Sequence, residues 1–265
     1  GREEKSILQW NALMISGLCY CYRATQTDRY RKLATTALNA IRQELSDEEG
    51  RWYRNYKDDK RGHFAYLDDY AALISALLDV YSVTFDNTLI NEALKLTDYV
   101  RSTFGSAPGG LFYLRPPAGS ELPVATVDLY DNALPSGNSQ MLDNLQRLGQ
   151  LTGKTELLEE ARTKLTNVME SVQKYPTSFA GWARLALQLS VPARELVVTG
   201  PGSRAAAAEI AKTFRPDLQI VVAETETVDF PSLKNRYLGD QLQFFLCENQ
   251  TCRLPVDRIE DLADL

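Results

Sequence analysis

The chain has one histidine, His63, in 265 residues. That excludes any acid/base mechanism needing two imidazoles from this chain, and any metal site built on histidines. Cysteine is also scarce, with Cys19, Cys21, Cys247 and Cys252 only. Cys19 and Cys21 stand two apart on a helical stretch and point different ways, so they do not bridge. Cys247 and Cys252 flank a short polar loop and read as a thiol pair at a loop end, with a metal pair or a disulfide as alternatives. So few cysteines point to a reducing compartment, and a cytoplasmic location is expected. No basic cluster follows a phosphate backbone and the net charge is -6, which argues against nucleic acid as a partner. No apolar run approaches a membrane span and no signal-peptide pattern is present, so no membrane partner is expected. No cofactor or metal is expected. Initiator methionine is missing as well, and a chain opening at Gly1 reads as processed, tagged or cut from something longer.

What remains is ordinary for a folded protein, with 44% apolar and 24% charged residues. The length suits one large domain, or one domain and an appendage. Apolar periodicity predicts helices over 6–24, 28–45, 68–83, 88–104, 136–151, 154–172 and 178–189. The first, third and fifth carry few charges on any face and read as buried. The second, fourth and sixth have one apolar stripe and read as their outer cover. Thr25, Thr84 and Thr152 close the inner member of each pair, spaced by 59 and then 68 residues. Leu18, Leu77 and Leu145 repeat the same spacing, as do Ala34, Ala93 and Ala161. This is a helical-hairpin repeat. After Pro192 the texture changes. Strand patterns at 195–199 and 218–223 flank a helix predicted over 203–214 and capped by Ser203, a βαβ unit. A third strand over 241–247 and a short helix over 257–265 complete this part. The loop Thr199-Gly-Pro-Gly-Ser203 lacks a lysine and the full glycine pattern of a phosphate cradle, and reads as a plain βα turn.

Because the helices alternate, every inner helix starts at one end of the bundle, and the long loops lie there too. That rim gathers Trp10, Asn11, His63, Asp68, Asp69, Tyr70, Asp128, Asp131, Asn132, Ser136 and Asn138. Singly, Asp68, Ser136 and Asn138 are ordinary helix starters. Together, carboxylates, amides and aromatics suit a hydroxyl-rich ligand, since aromatic faces stack on the apolar faces of sugars and carboxylates and amides take hydroxyl hydrogen bonds. Asp68 is expected to cap the third helix. One step along a helix turns a side chain by about 100°, so Asp69 is expected to face the pocket.

The motifs Glu3-Glu4-Lys5, Trp10-Asn11, Leu67-Asp68-Asp69-Tyr70, Tyr130-Asp131, Pro135-Ser136-Gly137-Asn138-Ser139 and Cys247…Cys252-Arg-Leu-Pro255 occur in one order. Together they resemble the C-terminal part of the spermatogenesis-associated protein 20 and YyaL-type family of thioredoxin-domain proteins. The resemblance implies a mainly α fold, a partial (α/α)6 toroid of the six-hairpin glycosidase and epimerase kind over 1–190, with a small α/β appendage over 191–265. About seven helices stand against the twelve of a full ring. Family members usually carry Asp-Asp-Lys and Leu-Glu-Asp-Tyr where this chain has Glu3-Glu4-Lys5 and Leu67-Asp68-Asp69-Tyr70. The family's thioredoxin-like domain and its Cys-x-x-Cys are not in this chain.

Two functions follow. One is a carbohydrate-active toroid holding a sugar or polyol, with Asp69, Asp131 and His63 as catalytic candidates and Asp128 as an alternative second carboxylate. Trp10, Asn11, Asp68, Tyr70, Asp128, Ser136 and Asn138 are then the ligand-binding candidates. Hydrolysis of a glycoside needs two carboxylates, one protonated and one ionised. The other is a non-catalytic binding or scaffold domain serving a thioredoxin-like domain. A half ring leaves apolar flanks, so the missing N-terminal half of the toroid or a homo-oligomer partner is expected against them.

Overall fold

A computed structural model describes residues 4–105, 107–116, 125–213, 215–226, 230–249 and 251–262. Glu3, Phe214 and residues 263–265, named in the expectations above, lie outside these. Strand β1 (Ser6–Ile7) leads into helix α1 (Leu8–Thr25), which folds back as α2 (Asp28–Leu45). Strands β2 (Asn55–Lys57) and β3 (Lys60–Arg61) follow and pair antiparallel. β1 adds to the outer edge of β2, with Ser6 opposite Tyr56, making a three-stranded ribbon. The second hairpin is α3 (Leu67–Thr84) and α4 (Asn87–Phe104), and the third is α5 (Gly137–Thr152) and α6 (Thr155–Thr166). The sixth predicted helix breaks at Asn167–Val168, and its end is the separate helix α7 (Met169–Lys174). Helix α8 (Ala180–Leu189) lies against α5.

The threonine repeat has a structural cause. Thr25, Thr84 and Thr152 are the last residues of α1, α3 and α5. Each hydroxyl donates to the carbonyl four residues back: Cys21 at 2.8 Å, Val80 at 2.8 Å and Leu148 at 2.6 Å. Such back-bonding satisfies a carbonyl that would otherwise be left open at the helix end. The next residue turns left-handed in all three, at Gln26 (φ 54°), Phe85 (φ 54°) and Gly153 (φ 67°). That stops the helix and reverses the chain. Ala34, Ala93 and Ala161 then sit fully buried where the outer helix meets the inner one.

The layering holds for two of the three inner helices. In α3, 15 of 18 residues are buried, and in α5, 12 of 16. The outer helices bury 4 of 18 (α2), 6 of 18 (α4) and 3 of 12 (α6). Helix α1 departs from the expectation, with only 5 of 18 buried. It ends the row, packing on α2 and α3. Its other face carries Trp10, Met14, Gly17, Tyr20 and Cys21, all exposed and none charged. The side-chain spacing of a buried inner helix is present, but among the described residues no helix packs on that side.

Strand β4 (Arg194–Thr199), helix α9 (Ser203–Ile210) and β5 (Leu218–Ala223) form the parallel βαβ unit. Gly202 (φ 79°) precedes the helix and the Ser203 hydroxyl makes no cap, contrary to expectation. β6 (Gln243–Glu248) runs antiparallel to β4, and β7 (Thr251–Cys252) closes the sheet in the order β5-β4-β6-β7. Cys247 and Cys252 are opposite residues of β6 and β7 and form a disulfide, which replaces the expected thiol pair. Cys19 and Cys21 are free. Ile259–Asp261 forms a short 3-10 turn in place of the last predicted helix. This α/β part sits at the bottom of the bundle: Gln26 Nε2 donates to Ala208 O at 3.0 Å, and Arg204 Nη1 to Thr84 O at 2.6 Å. Among the described residues, no helix is long and apolar enough to cross a membrane.

Candidate functional site

The rim opposite the α/β part is built on the first turn of α3. The helix starts at Leu67 with Tyr66 as the capping residue. Asp69, at the third helical position, accepts the Tyr66 backbone N–H at 3.0 Å, the carboxylate half of a capping box. Its other oxygen accepts the Gln9 backbone N–H at 3.3 Å, and Arg54 Nη1 lies 2.7 Å from Oδ2. Asp69 is wholly buried and its carboxylate is occupied by these three donors. Burial pushes its pKa up to about 7, the Asp68 charge adds to the rise, and Arg54 opposes it. The roles expected of the two aspartates are therefore exchanged. Asp69 secures the helix start and ties it to α1, because its position is within reach of the free N–H groups. Asp68, one step round the helix, faces outward.

Asp68 is held from the side by Arg54, whose Nη1 and Nη2 donate to its two oxygens at 2.9 and 3.1 Å. Arg54 precedes β2, and its guanidinium stacks over the Tyr66 ring at 4.7 Å, with Arg115 over the same ring at 4.3 Å. The pairing of β1 with β2 brings this arginine to the start of α1 and α3.

The loop before α5 supplies the opposite wall. Asp131 accepts the Ser136 N–H at 2.9 Å, the Ser139 hydroxyl at 3.0 Å and the Gly181 N–H at 2.8 Å. It joins this loop to the starts of α5 and α8. Asn138, fully buried, accepts the Phe112 N–H at 2.9 Å and donates to the carbonyls of Phe112 and Asp128, each at 3.0 Å. Ser136 caps α5 and donates to the Asp128 carbonyl at 3.0 Å. Trp182 Nε1 donates to the Leu129 carbonyl at 2.9 Å. Gly137 explains its place in the Pro-Ser-Gly-Asn-Ser motif: a Cβ there would come within 2.9 Å of the Asp68 backbone nitrogen. So α5 starts in direct contact with the start of α3 only because this residue has no side chain.

Between these walls lies a cleft of about 470 Å³. Of the rim residues named from the sequence, Trp10, Asp68, Asp128 and Asn132 line it. Asp69, Asp131, Ser136 and Asn138 are the framework behind it. Asn11 turns back on its own helix start, donating to Ser6 Oγ at 3.2 Å and Ile7 O at 2.8 Å. Tyr70 is buried against Tyr99 and Phe104, with ring centroids 5.2 and 5.6 Å away, and so is directed to the outer layer. His63 is exposed on the ribbon and is not part of the cleft lining. Lys5, Arg54, Asn55 and Tyr130 also line the cleft and were not foreseen. Lys5 and Tyr130 stood only as members of the motifs Glu3-Glu4-Lys5 and Tyr130-Asp131, and the one signal of Arg54 and Asn55 was the aromatic, polar loop around 50–56, whose fold-back onto β1 is a long-range pairing.

The two carboxylates of the cleft differ electrostatically. Asp68 is the partner of a guanidinium. Asp128 has its pKa raised, chiefly by burial, with Asp68 and Asp131 adding to the rise, while the Tyr130 N–H bonded to it opposes. Among the described residues, no group of three or more His, Cys, Asp or Glu is arranged to hold a metal ion.

Comparison with known proteins adds to this geometry. No protein-family model matches the chain. Human spermatogenesis-associated protein 20 is 26% identical over 274 residues, covering 96% of this chain and 35% of the relative. An uncharacterized protein of Caenorhabditis elegans is 24% identical over 278 residues, 99% of this chain and 38% of that one. The chain thus spans about a third of the length of these curated relatives. Among solved structures, an α-mannanase of Bacteroides thetaiotaomicron superposes with a TM-score of 0.52 at 17% identity, covering 64% of this chain and 46% of that one. A D-mannose isomerase gives 0.51 at 15% identity, covering 62% of this chain and 42% of that one. The cellobiose 2-epimerase of Spirochaeta thermophila gives 0.51 at 14%, covering 62% and 43%. By sequence the chain is similar to spermatogenesis-associated protein 20 and its relatives, and its fold is that of a partial α/α toroid of helical hairpins, as in these solved structures.

Proposed function

We propose that the rim cleft binds a hydroxyl-rich, carbohydrate-like ligand, with Asp68 and Asp128 as the working carboxylates in place of Asp69 and Asp131. The observation that carries this is the pair itself. Two carboxylates line one cleft, one paired with Arg54 and one with a raised pKa, next to the half-exposed ring of Trp10. Trp10 offers a face for the apolar side of a sugar ring, and the carboxylates and Asn132 take and give hydroxyl hydrogen bonds. The names of the structural neighbours, a mannanase, an isomerase and an epimerase, support the ligand class by fold analogy.

The pair also equips the cleft for hydrolysis. Asp128 is suited to protonate a leaving glycosidic oxygen, and Asp68 to take a proton from water or to attack the anomeric carbon. Arg54 positions Asp68 through hydrogen bonds to both of its oxygens. The epimerase route through paired histidines is closed to this chain's own residues, with His63 alone and outside the cleft. The test is a titration of cellobiose and mannose into the protein, with hydrolysis followed in parallel. Binding lost in both Asp68→Asn and Trp10→Ala supports the cleft. Binding without turnover, unchanged in Asp128→Asn, favours the non-catalytic reading. Binding unaffected by all three variants overturns the proposal.

A further inference from the structure

One row of side chains crosses the four-stranded sheet. Gln219 of β5, Glu195 of β4, Cys247 of β6 and Cys252 of β7 stand opposite one another in turn. Residues opposite each other in neighbouring strands point to the same face, with Cβ atoms about 5 Å apart. Glu195 therefore stands beside the Cys247–Cys252 disulfide, on the same face of the sheet.

The two sulfurs are unequal. Cys247 is 1% exposed, whereas Cys252, on the edge strand, is partly exposed. An incoming thiolate has access to Cys252 and not to Cys247. The bond joins residues only five apart in sequence, so it restricts the unfolded chain little and stabilises the fold little. Backbone hydrogen bonds hold this corner without it. The Arg253 N–H donates to Leu246 O at 3.0 Å, and Phe244 and Val256 exchange N–H···O bonds of 2.8 and 3.1 Å. After reduction the two thiols stay side by side, as reversible exchange requires.

Glu195 is in a state to handle a proton. Its Oε1 is buried and accepts no hydrogen bond among the described residues. Burial raises its pKa to about 7, opposed by the Ser232 hydroxyl and by Arg236. Tyr81 on α3 feels the Glu195 charge and, its own pKa pushed up chiefly by burial, stays neutral. Other charges on the flanking elements pair with one another: Arg194 with Asp217, Arg204 with Glu224 and Arg253 with Glu248.

We propose that Cys247 and Cys252 form a thiol–disulfide exchange site, with Glu195 as the group that gives and takes the proton of Cys247, and a dithiol as the co-reactant. This does not rest on the rim proposal. A thiolate of the dithiol attacks Cys252 Sγ. The S–S bond breaks, and its electron pair leaves on Cys247 Sγ, which takes the Glu195 proton. The second thiol of the dithiol loses its proton to water and attacks the dithiol's own sulfur in the mixed disulfide, and Cys252 leaves as a thiolate. Two electrons have passed: the cysteine pair is reduced and the dithiol is oxidised to its disulfide. The reverse sequence reduces an external disulfide.

Reduction by dithiothreitol tests this. It is timed by alkylation and peptide mapping, which separates this pair from Cys19 and Cys21, and each rate is divided by the concentration of dithiothreitol thiolate. In the wild type this quotient is expected to fall about tenfold from pH 6 to pH 8, the change in the protonated fraction of a group with a pKa of about 7. In Glu195→Gln it is expected to be low and flat. Glu195→Leu is the second variant should Glu195→Gln fail to fold by circular dichroism. Three results overturn the inference: a pair that stays oxidised in the folded protein under excess dithiothreitol, a wild-type quotient equal at the two pH values, or a folded Glu195 variant that keeps the fall.

Discussion

Asp68 and Asp69 share one guanidinium, with Arg54 Nη1 lying 2.9 Å from Asp68 Oδ1 and 2.7 Å from Asp69 Oδ2. Yet one aspartate faces the cleft and the other is sealed beneath it. A single residue's rotation about the helix axis separates a cleft-lining acid from a structural one. Arg54 couples them, so the chemistry of the cleft and the stability of the helix start are linked.

Stability should carry the signature of Asp69. Its folded pKa, about 7, lies above the ordinary carboxylate range. The folded protein therefore binds this proton more tightly than the unfolded chain does. That contribution to stability is fully present below the ordinary carboxylate range and is lost as pH rises through about 7. Urea melts of the wild type should show it as a loss between about pH 4 and pH 7. Asp69→Asn cannot titrate and should show a smaller loss; equal losses in the two proteins would contradict the assignment.

Electrostatic coupling across the cleft is testable without a substrate. Asp68 is one of the charges that raise the pKa of Asp128. In Asp68→Asn that charge is gone and Arg54 loses one partner, so the Asp128 pKa should fall. Carbon-13 NMR titration of the carboxyl groups reads this directly, and an unchanged Asp128 would show that the two do not share the cleft field.

Asn138 should matter for stability. Asn138→Ala leaves the Phe112 N–H and the Phe112 and Asp128 carbonyls without their side-chain partner. A loss of about 2–3 kcal/mol is expected in chemical denaturation, from buried polar groups left unpaired. Trp10→Ala, at a residue 53% exposed, should cost much less.

The open face of α1 should make the isolated 265-residue chain self-associate. Trp10, Met14 and Tyr20 are 53%, 64% and 51% exposed on one uncharged face. Contiguous apolar surface of this kind drives association. Sedimentation should show oligomers that Met14→Glu reduces to monomers with little change in melting temperature. A wild-type chain that stays monomeric at high concentration would count against this.

The sequence by itself determined the hairpins. Local signals suffice for them: apolar spacing, a threonine that back-bonds at each inner-helix end, and a residue that turns left-handed after it. The βαβ unit was legible for the same reason, as two β-branched runs flanking a helical one. The rim was legible as a region, because alternating helices must start at one end. Which rim residues line the cleft was decided only by the tertiary structure. Asp69 and Asp131 are consumed by backbone donors from segments distant in sequence, Gln9 and Gly181, and no local pattern announces that. Arg54 enters through the pairing of β1 with β2, and Tyr70 leaves by packing on Tyr99 and Phe104 of the outer helix. The low burial of α1 has the same origin: a helix's own pattern prescribes a buried face, but only a packed neighbour buries it.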